Sequence, residues 1–251
     1  MHRFYLPPEQ CDARLVVLRD QEARHTRQVL RLERGAQVVV LDGQGGHQLC
    51  KVRNAARDRV ELGVLEHRSI PPLPYRLTLF QAMPKGKTFD TIVQKATELG
   101  AWRVVPLLTE RVVTRLEGVS AGPKVEHWQR TAIEAIKQCG SAWLPQIDPP
   151  QPLRQCLERP EREDLSLVAS LQSGSDHPRR VLQTFRAQHG RAPQTVAVWI
   201  GPEGDFTPAE LEAIQSSGAV PVTLGSLVLR ADTAALYCLS ILSYELQAGL
   251  G

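Results

Sequence analysis

The sequence lacks the cysteine spacing that a disulfide framework or a zinc site requires. Its five cysteines are spread from Cys11 to Cys238, and no two of them form a C-x-x-C pair. Disulfide-rich secreted domains and structural zinc sites depend on closely spaced ligands. The histidines of the second half follow no metal-ligand spacing either: His127, His177 and His189. We therefore expect a protein of a reducing compartment that holds no metal.

Long apolar runs are absent as well. No stretch approaches the roughly 20 apolar residues that a membrane-spanning helix needs. The first ten residues, MHRFYLPPEQ, lack the apolar core of a signal peptide. The expectation is a soluble cytoplasmic protein, with no membrane contact, whose 251 residues form one large domain or two small ones.

Charge of one sign is only slightly in excess, with a formal net charge of +3. Residues 1–70 contain 12 basic and 9 acidic side chains, which accounts for the whole excess. This asymmetry indicates either contact with an anion such as nucleic acid or a solvated basic face. Within it, QEARHTRQVLRLERG at 21–35 predicts a helix on which Arg24, Arg27 and Arg31 share one face. That face would either bind a phosphate backbone or be exposed to solvent without a partner.

A proline-rich segment divides the chain. IPPLP at 70–74 has three prolines in five residues, which predicts a stiff linker. Before it, segments at 37–41, 47–52 and 59–68 predict short antiparallel strands of a small barrel-like module. After it, strands alternate with helices, which predicts an α/β domain whose parallel sheet is covered on both faces.

The common nucleotide-binding motifs are missing. KGKT at 85–88 resembles the end of a P-loop, but Gln81 stands where that pattern needs its first glycine. GPEGDF at 201–206 does not match G-x-G-x-x-G and lies far from the first β-α turn. No local grouping of Ser, His and Asp or of Cys and His indicates a nucleophile. A nucleoside triphosphatase and a dinucleotide-binding enzyme are therefore excluded.

Two glycine-containing loops carry the strongest signal. The strand TVAVWI at 195–200 runs into GPEG at 201–204, and TPAE at 207–210 then forms the capping box of a helix. A second predicted strand leads into GSLVLRADTA at 225–234. We expect both loops side by side at the carboxyl edge of the sheet, where α/β proteins bind ligands. Exposed backbone groups, apolar walls and few cations suit the adenine of S-adenosylmethionine.

These motifs resemble the bacterial 16S ribosomal RNA (uracil-N3) methyltransferases of the SPOUT superfamily. The resemblance covers nearly the whole chain and is carried by MHRFYL, HTRQVLRLERG, QAMPKGKTFDTIVQKATELGAWRVVPLLTERVV, RTAIEAIKQCG, IGPEGDF and LGSLVLRADTAAL. It implies a PUA-like RNA-binding β-barrel over 1–70, a linker over 71–74, and an α/β methyltransferase domain with a deep trefoil knot over 75–251. It also implies an S-adenosylmethionine-dependent homodimer that methylates N3 of a uridine in 16S ribosomal RNA of the small subunit.

The resemblance implies site residues as well. Those expected to contact the cofactor are Leu108, Thr109, Ile200, Gly201, Pro202, Glu203, Gly204, Leu224, Gly225, Leu229, Thr233 and Ala234. Those expected to contact RNA are Arg3, Arg24, Arg31, Lys85, Lys87 and Arg111. Positions that depart from the usual family pattern are Val113, Ser141, Asp205, Leu227 and Asp232.

The catalytic candidates follow from the chemistry of uracil. Its N3 is protonated at neutral pH, so methylation there needs a base or a cation that stabilises the developing uracil anion. Arg230 is the candidate cation, and its alternative is a structural salt bridge to Asp232 or Glu203. Glu203 and Asp232 are the candidate bases, and the sequence does not separate them.

Two other functions stay open at this point. One is a related knotted methyltransferase that acts on transfer RNA or on the large ribosomal subunit. The other is an RNA-binding protein that kept the fold and lost the chemistry. The modified nucleoside would identify the first, and a failure to bind S-adenosylmethionine would identify the second.

Overall fold

The chain forms two compact units in the computed structural model, which describes residues 1–11, 14–24, 30–56, 58–86, 88–111, 122–172 and 174–247. The first unit comprises Met1–Pro72 together with Ile133–Leu144. The second comprises Leu73–Ala132 together with Pro145–Gly251. Each unit is therefore assembled from two separate segments of the chain.

A five-stranded sheet is the centre of the first unit. Its elements are β1 (His2–Tyr5), a 3₁₀ turn (Pro8–Gln10), β2 (Leu15–Arg19), α1 (Asp20–Arg24), β3 (Gln37–Leu41), β4 (Gly46–Ala55) and β5 (Arg59–Ser69). The strands lie in the order β1-β3-β4-β5-β2, with β1 parallel to β3 and the other neighbours antiparallel. Alternation along the strands buries one apolar set in a common core: Phe4, Val16, Leu18, Val38, Val40, Val60 and Leu62. The three strands predicted before the linker are confirmed.

The predicted helix over 21–35 is wrong in its second half, because residues 30–34 are not helical. Leu30 and Leu32, on either side of Arg31, pack against the core of the first unit. Arg31 between them has a φ of 50°, which lies outside the helical region. Tertiary packing of the leucines therefore overrides the helical charge pattern, and the helix face predicted for Arg31 does not form.

The second unit is an α/β fold around a parallel sheet. Its elements are β6 (Arg76–Ala82), α2 (Thr88–Glu98), β7 (Arg103–Leu108), α3 (Gly122–Cys139), β8 (Gln146–Ile147), β9 (Gln151–Pro152), α4 (Leu153–Leu157), β10 (Leu165–Ala169), α5 (Pro178–His189), β11 (Thr195–Ile200), α6 (Pro208–Ser216), β12 (Val220–Val222) and α7 (Ala231–Gln247). The sheet order is β12-β10-β11-β6-β7-β8, with β9 also paired to β7, and these pairs are parallel. The end of α3 groups with the first unit. The predicted α/β class and parallel sheet are confirmed.

The central strands of this sheet are mostly apolar and are buried over most of their length. On one face Phe80 and Trp199 stack with their ring centroids 3.9 Å apart, beside Leu211 and Ile214 of α6. Strands that are covered by helices need such largely apolar sequences, since neither face meets water. This packing gives the carboxyl ends of the strands a rigid base.

Candidate functional site

The carboxyl ends of three neighbouring strands, β10, β11 and β12, open into one cavity of about 590 Å³. Its wall consists of residues 169–172, 200–205 and 223–231, together with Ala234 of α7. This is the edge at which α/β proteins bind ligands, and the volume is that of a small-molecule site. The two predicted loops share the cavity, but β10 separates their strands. Residues 169–172 were missed, because only the strand order places them there.

Close backbone contacts shape the first loop, which runs from Gly201 to Thr207. A Cβ atom on Gly201 would lie 2.9 Å from Oδ1 of Asp205 and 3.1 Å from the backbone nitrogen of Phe206. Asp205 has a φ of 61°, in the left-handed region that glycine adopts most readily. Its Oδ1 accepts a hydrogen bond from the Phe206 N–H at 2.8 Å. The loop is thus a tight turn, and its residues 201–205 line the cavity.

Helix α6 begins directly after this loop, with the capping box that the sequence predicts. The Thr207 hydroxyl accepts a hydrogen bond from the Glu210 N–H at 3.3 Å. Oε2 of Glu210 accepts one from the Thr207 N–H at 2.9 Å, and Pro208 occupies the first helical position. The reciprocal bonds fix the exit of the loop to the helix.

The second loop follows β12 and is more open. Oγ1 of Thr223 accepts a hydrogen bond from the Gly225 N–H at 3.2 Å, and Gly225 has a φ of 114°. Leu227 and Val228 are 75% and 79% exposed at the cavity wall. Exposed aliphatic side chains of this size at one site indicate a surface that contacts another molecule.

Charged side chains at the cavity have different partners. Arg230 is exposed and is the one cation in the described cavity wall, where no ion pair joins it to Asp232 or Glu203. Oε1 of Glu203 accepts a hydrogen bond from the Lys85 N–H at 3.1 Å. Oδ1 of Asp232 accepts one from the Thr233 N–H at 2.8 Å, and Asp232 is not part of the wall. Among the described residues, Arg230 thus has no salt-bridge role.

Nine of the twelve predicted cofactor contacts line the cavity, and Leu108, Thr109 and Thr233 do not. Oγ1 of Thr109, at the end of β7, is buried and has no hydrogen-bond partner among the described residues. The next residue, Glu110, donates its backbone N–H to Oε1 of Glu210 at 2.8 Å. The end of β7 therefore contacts the start of α6, beside the first loop.

Two of the predicted RNA contacts have partners within their own unit. Arg3 donates to the carbonyl of Gln138 at 3.0 Å, at the end of α3, and Arg111 donates to the carbonyl of Gly204. The other described candidates are exposed: Arg24, Arg31 and Lys85. Predictions for three residues lie outside the described part of the chain: Arg27, Lys87 and Val113.

Other site chemistries find little support in the described residues. They contain no group of three or more His, Cys, Asp or Glu side chains placed to hold a metal ion. Burial raises the pKa of Cys50 and of Cys238 to about 12 and that of Cys156 to about 11, so these thiols stay protonated at neutral pH. None of the described helices has both the length and the apolar character needed to cross a bilayer.

Comparison with known proteins gives a consistent match. The family model for an RNA methyltransferase domain matches residues 71–243. A protein of Synechocystis named ribosomal RNA small subunit methyltransferase E is 33% identical over 251 residues, covering 98% of this chain and 78% of that protein. A protein of Aquifex aeolicus with the same name is 32% identical over 243 residues, covering 96% and 99%.

Solved structures show the same fold. A methyltransferase from Legionella pneumophila, solved with S-adenosylmethionine bound, superposes with a TM-score of 0.84 at 29% identity, covering 98% of this chain and 97% of that one. A ribosomal RNA small subunit methyltransferase E from Neisseria gonorrhoeae, also bound to S-adenosylmethionine, gives a TM-score of 0.84 at 26% identity, covering 98% of each chain. The likeness thus extends over both units.

Proposed function

The chain belongs to the RNA methyltransferase family, and on this premise we propose that it methylates N3 of a uridine in 16S ribosomal RNA, with S-adenosylmethionine as the methyl donor. The observation that carries the proposal is that both glycine-containing loops line the same cavity. The names of the relatives support the small ribosomal subunit as the source of the RNA. The N3 position rests on the sequence resemblance.

The residues of the cavity fit S-adenosylmethionine. The wall offers backbone groups, apolar side chains such as Leu224 and Leu229, and a single cation, which suits a cofactor without phosphates. The buried hydroxyl of Thr109 lacks a partner among the residues that the structure describes, and buried polar groups are rarely left so. We propose that this hydroxyl, with Leu108 and Thr233, completes the contacts of the nine wall residues. The cofactor supplies an electrophilic methyl group beside a positively charged sulfur.

In this proposal Glu203 accepts the proton that uracil loses, and Arg230 stabilises the resulting negative charge. The N3 proton of uracil passes to Glu203, which lines the cavity and accepts the Lys85 N–H with one carboxylate oxygen. Glu203 is preferred to Asp232, because Asp232 does not line the cavity. The guanidinium of Arg230 stabilises the negative charge that develops on the uracil oxygens.

The rest of the molecule binds RNA and a second copy in this proposal. Residues 1–70 form a PUA-like RNA-binding domain, 71–74 a linker, and 75–251 a SPOUT domain with a trefoil knot, acting in the cytoplasm. Exposed Arg24, Arg31 and Lys85, with Arg3, Lys87 and Arg111, are the proposed RNA contacts. Dimerisation is supported by the exposed face of α7, where Tyr237 and Tyr244 are 45% and 73% exposed.

The test is transfer of labelled methyl groups from S-adenosylmethionine into unmodified small ribosomal subunits, followed by digestion and mass analysis of the nucleosides. Label in 3-methyluridine is the expected result. Label in another nucleoside would overturn the N3 assignment, and label only in transfer RNA or large subunits would overturn the substrate. A protein that binds the RNA but not S-adenosylmethionine would be an RNA-binding protein without this chemistry.

A further inference from the structure

Glu210 is a buried carboxylate that the proposed chemistry does not use. It is 7% exposed, and the other buried carboxylate among the described residues, Asp148, is paired with Arg103. No ion pair neutralises Glu210 within the described part of the chain. Both of its oxygens accept backbone N–H groups instead, Oε2 from Thr207 at 2.9 Å and Oε1 from Glu110 at 2.8 Å. A buried charge is tolerated when such bonds satisfy it.

The two N–H groups come from different parts of the second unit. Thr207 ends the first cavity loop, whereas Glu110 follows β7, about a hundred residues earlier in the chain. Arg111 reinforces this connection, since its guanidinium donates to the carbonyl of Gly204 and, at 3.4 Å, to that of Asp205. We call these bonds the β7–α6 linkage.

The linkage acts on backbone that lines the cavity. Gly204 and Asp205 belong to the wall, and their loop is neither helix nor strand, with one turn closed by the hydrogen bond from the Asp205 N–H to the Pro202 carbonyl at 2.9 Å. That turn does not fix where the loop lies relative to β7, so its position also depends on the bonds that reach it from other elements. We infer that Glu210 is a positioning residue, which fixes the first loop in the shape that binds the cofactor by joining it to the end of β7. This inference rests on the proposed function.

Helix capping alone does not account for Glu210. The capping box explains the bond from Oε2 to the Thr207 N–H, and glutamine serves in that position as well as glutamate. It does not explain the bond from Oε1 to Glu110, which requires a second acceptor. A glutamine would present an NH₂ group there, opposite a donor N–H. Glu210→Gln, with its one amide oxygen on the Thr207 N–H, therefore loses the Glu110 bond of the linkage and keeps the cap.

Three variants separate the linkage from the cap. Glu210→Gln should weaken S-adenosylmethionine binding roughly 10-fold in a calorimetric titration, since a charged acceptor is lost. Arg111→Ala, at an exposed side chain, should weaken cofactor binding in the same direction in the absence of RNA. Thr207→Ala should lower Tm, because the cap is lost, and leave the Kd for the cofactor unchanged. In methyl transfer, Glu210→Gln should raise KM for S-adenosylmethionine while kcat at saturating cofactor is retained.

The outcomes distinguish this inference from the proposed function. A wild-type protein that binds the cofactor, with Glu210→Gln binding it equally well, would overturn the inference alone. Equal weakening by Thr207→Ala and Glu210→Gln would also overturn it, because the cap would then explain both. A wild-type protein that does not bind S-adenosylmethionine would overturn the proposed function and the inference together. Should Glu210→Gln fail to fold, unchanged cofactor binding by Arg111→Ala would overturn the inference.

Discussion

Arg230 is the one positively charged side chain in the described wall of the cavity, so its removal tests the proposed chemistry directly. Arg230→Ala should lower kcat by roughly 100-fold or more, as expected when a group that stabilises transition-state charge is lost. Cofactor binding should be unchanged, because that pocket is mainly backbone and apolar. Single-turnover methyl transfer and calorimetric titration with S-adenosylmethionine measure the two quantities.

Arg230→Lys is the matched control for this prediction. It retains the charge without the planar fork of the guanidinium, and it should keep part of the activity. The deficit of Arg230→Ala should also shrink as the pH rises, since more uracil is then deprotonated at N3 without help. A variant with unchanged kcat would remove Arg230 from the mechanism.

Single residues were predictable where their role is local. The capping box of Thr207 and Glu210 is confirmed, because it needs only four consecutive residues and a backbone that starts a helix. The sequence alone does not indicate the backbone conformation of Asp205. Its φ of 61° lies in the left-handed region that glycine adopts most readily. The bond between Glu210 and Glu110 was not predictable, because it joins segments that are distant in the chain.

Asp164 joins two structural elements, since it lies directly before β10 and holds the start of β11. Its Oδ2 accepts the N–H of Gln194 at 2.6 Å and that of Thr195 at 3.2 Å, and Oδ1 is 2.9 Å from Arg191. The hydrogen bond from Arg191, followed by those from the backbone, lowers the pKa of Asp164 well below its usual value of 3.8. The two strands thus depend on an ionised carboxylate.

The pH dependence of stability follows from this lowered pKa. The contribution of Asp164 is fully present above its unfolded-state pKa and is lost as the pH falls through the folded-state pKa. Asp164→Asn should therefore lower the free energy of unfolding by about 1 kcal/mol at pH 7, with a difference that narrows below pH 4. Denaturant titrations at pH 7, 5 and 3 measure it. A difference that stays constant down to pH 3 would contradict the prediction.

The control for Asp164→Asn is Glu158→Gln, which breaks a solvent-exposed pair with Arg154 on α4. Exposed ion pairs of this kind contribute about 0–1 kcal/mol. We therefore expect little change at any of the three pH values. A large effect of Glu158→Gln would show that the assay reports general charge effects.

Elements were predictable in proportion to their length and apolar content. The bounds of β11 match the strand predicted at 195–200, because its sequence is rich in β-branched and apolar residues. The two-residue strands β8 and β9 and the five-residue α4 were missed, since so few residues show no period. The stretch 30–34 was predicted wrongly because the spacing of its arginines fits a helix, whereas Leu30 and Leu32 pack against the core of the first unit.

At the scale of the whole molecule, the proposed dimer makes a testable claim about α7. Tyr237 and Tyr244 are seven residues apart and so lie on one side of the helix, where both are exposed. Tyr244→Glu should shift the protein from dimer to monomer, because a charge is placed in the interface. Sedimentation velocity measures the shift.

Leu65→Glu, at a half-exposed position on β5, is the control for that experiment. It adds the same charge to the first unit and should leave the sedimentation coefficient unchanged. A Tyr244→Glu protein that sediments like wild type would contradict an interface on this face of α7. A monomeric wild type would contradict the dimer itself.

Fold class was predictable from the alternation of strands and helices, and the arrangement of the strands was not. The position of β10 between β11 and β12 brings Ala169 to Gln172 into the cavity wall. Strand order depends on which connections cross the sheet, and no local pattern encodes that choice. The loops of the site could be identified from the sequence, but one side of their cavity could not.

The first unit is built from two separate segments of the chain, which limits where the chain can be cut into independent parts. Ala142, from the segment that follows α3, packs with Val39 and Leu41 of β3, and its carbonyl accepts the N–H of Gly45 at 2.9 Å. A fragment that stopped at Pro72 would leave that apolar surface uncovered and that N–H without its acceptor. The first unit is therefore not a cassette that a single cut or gene fusion could transplant into another protein.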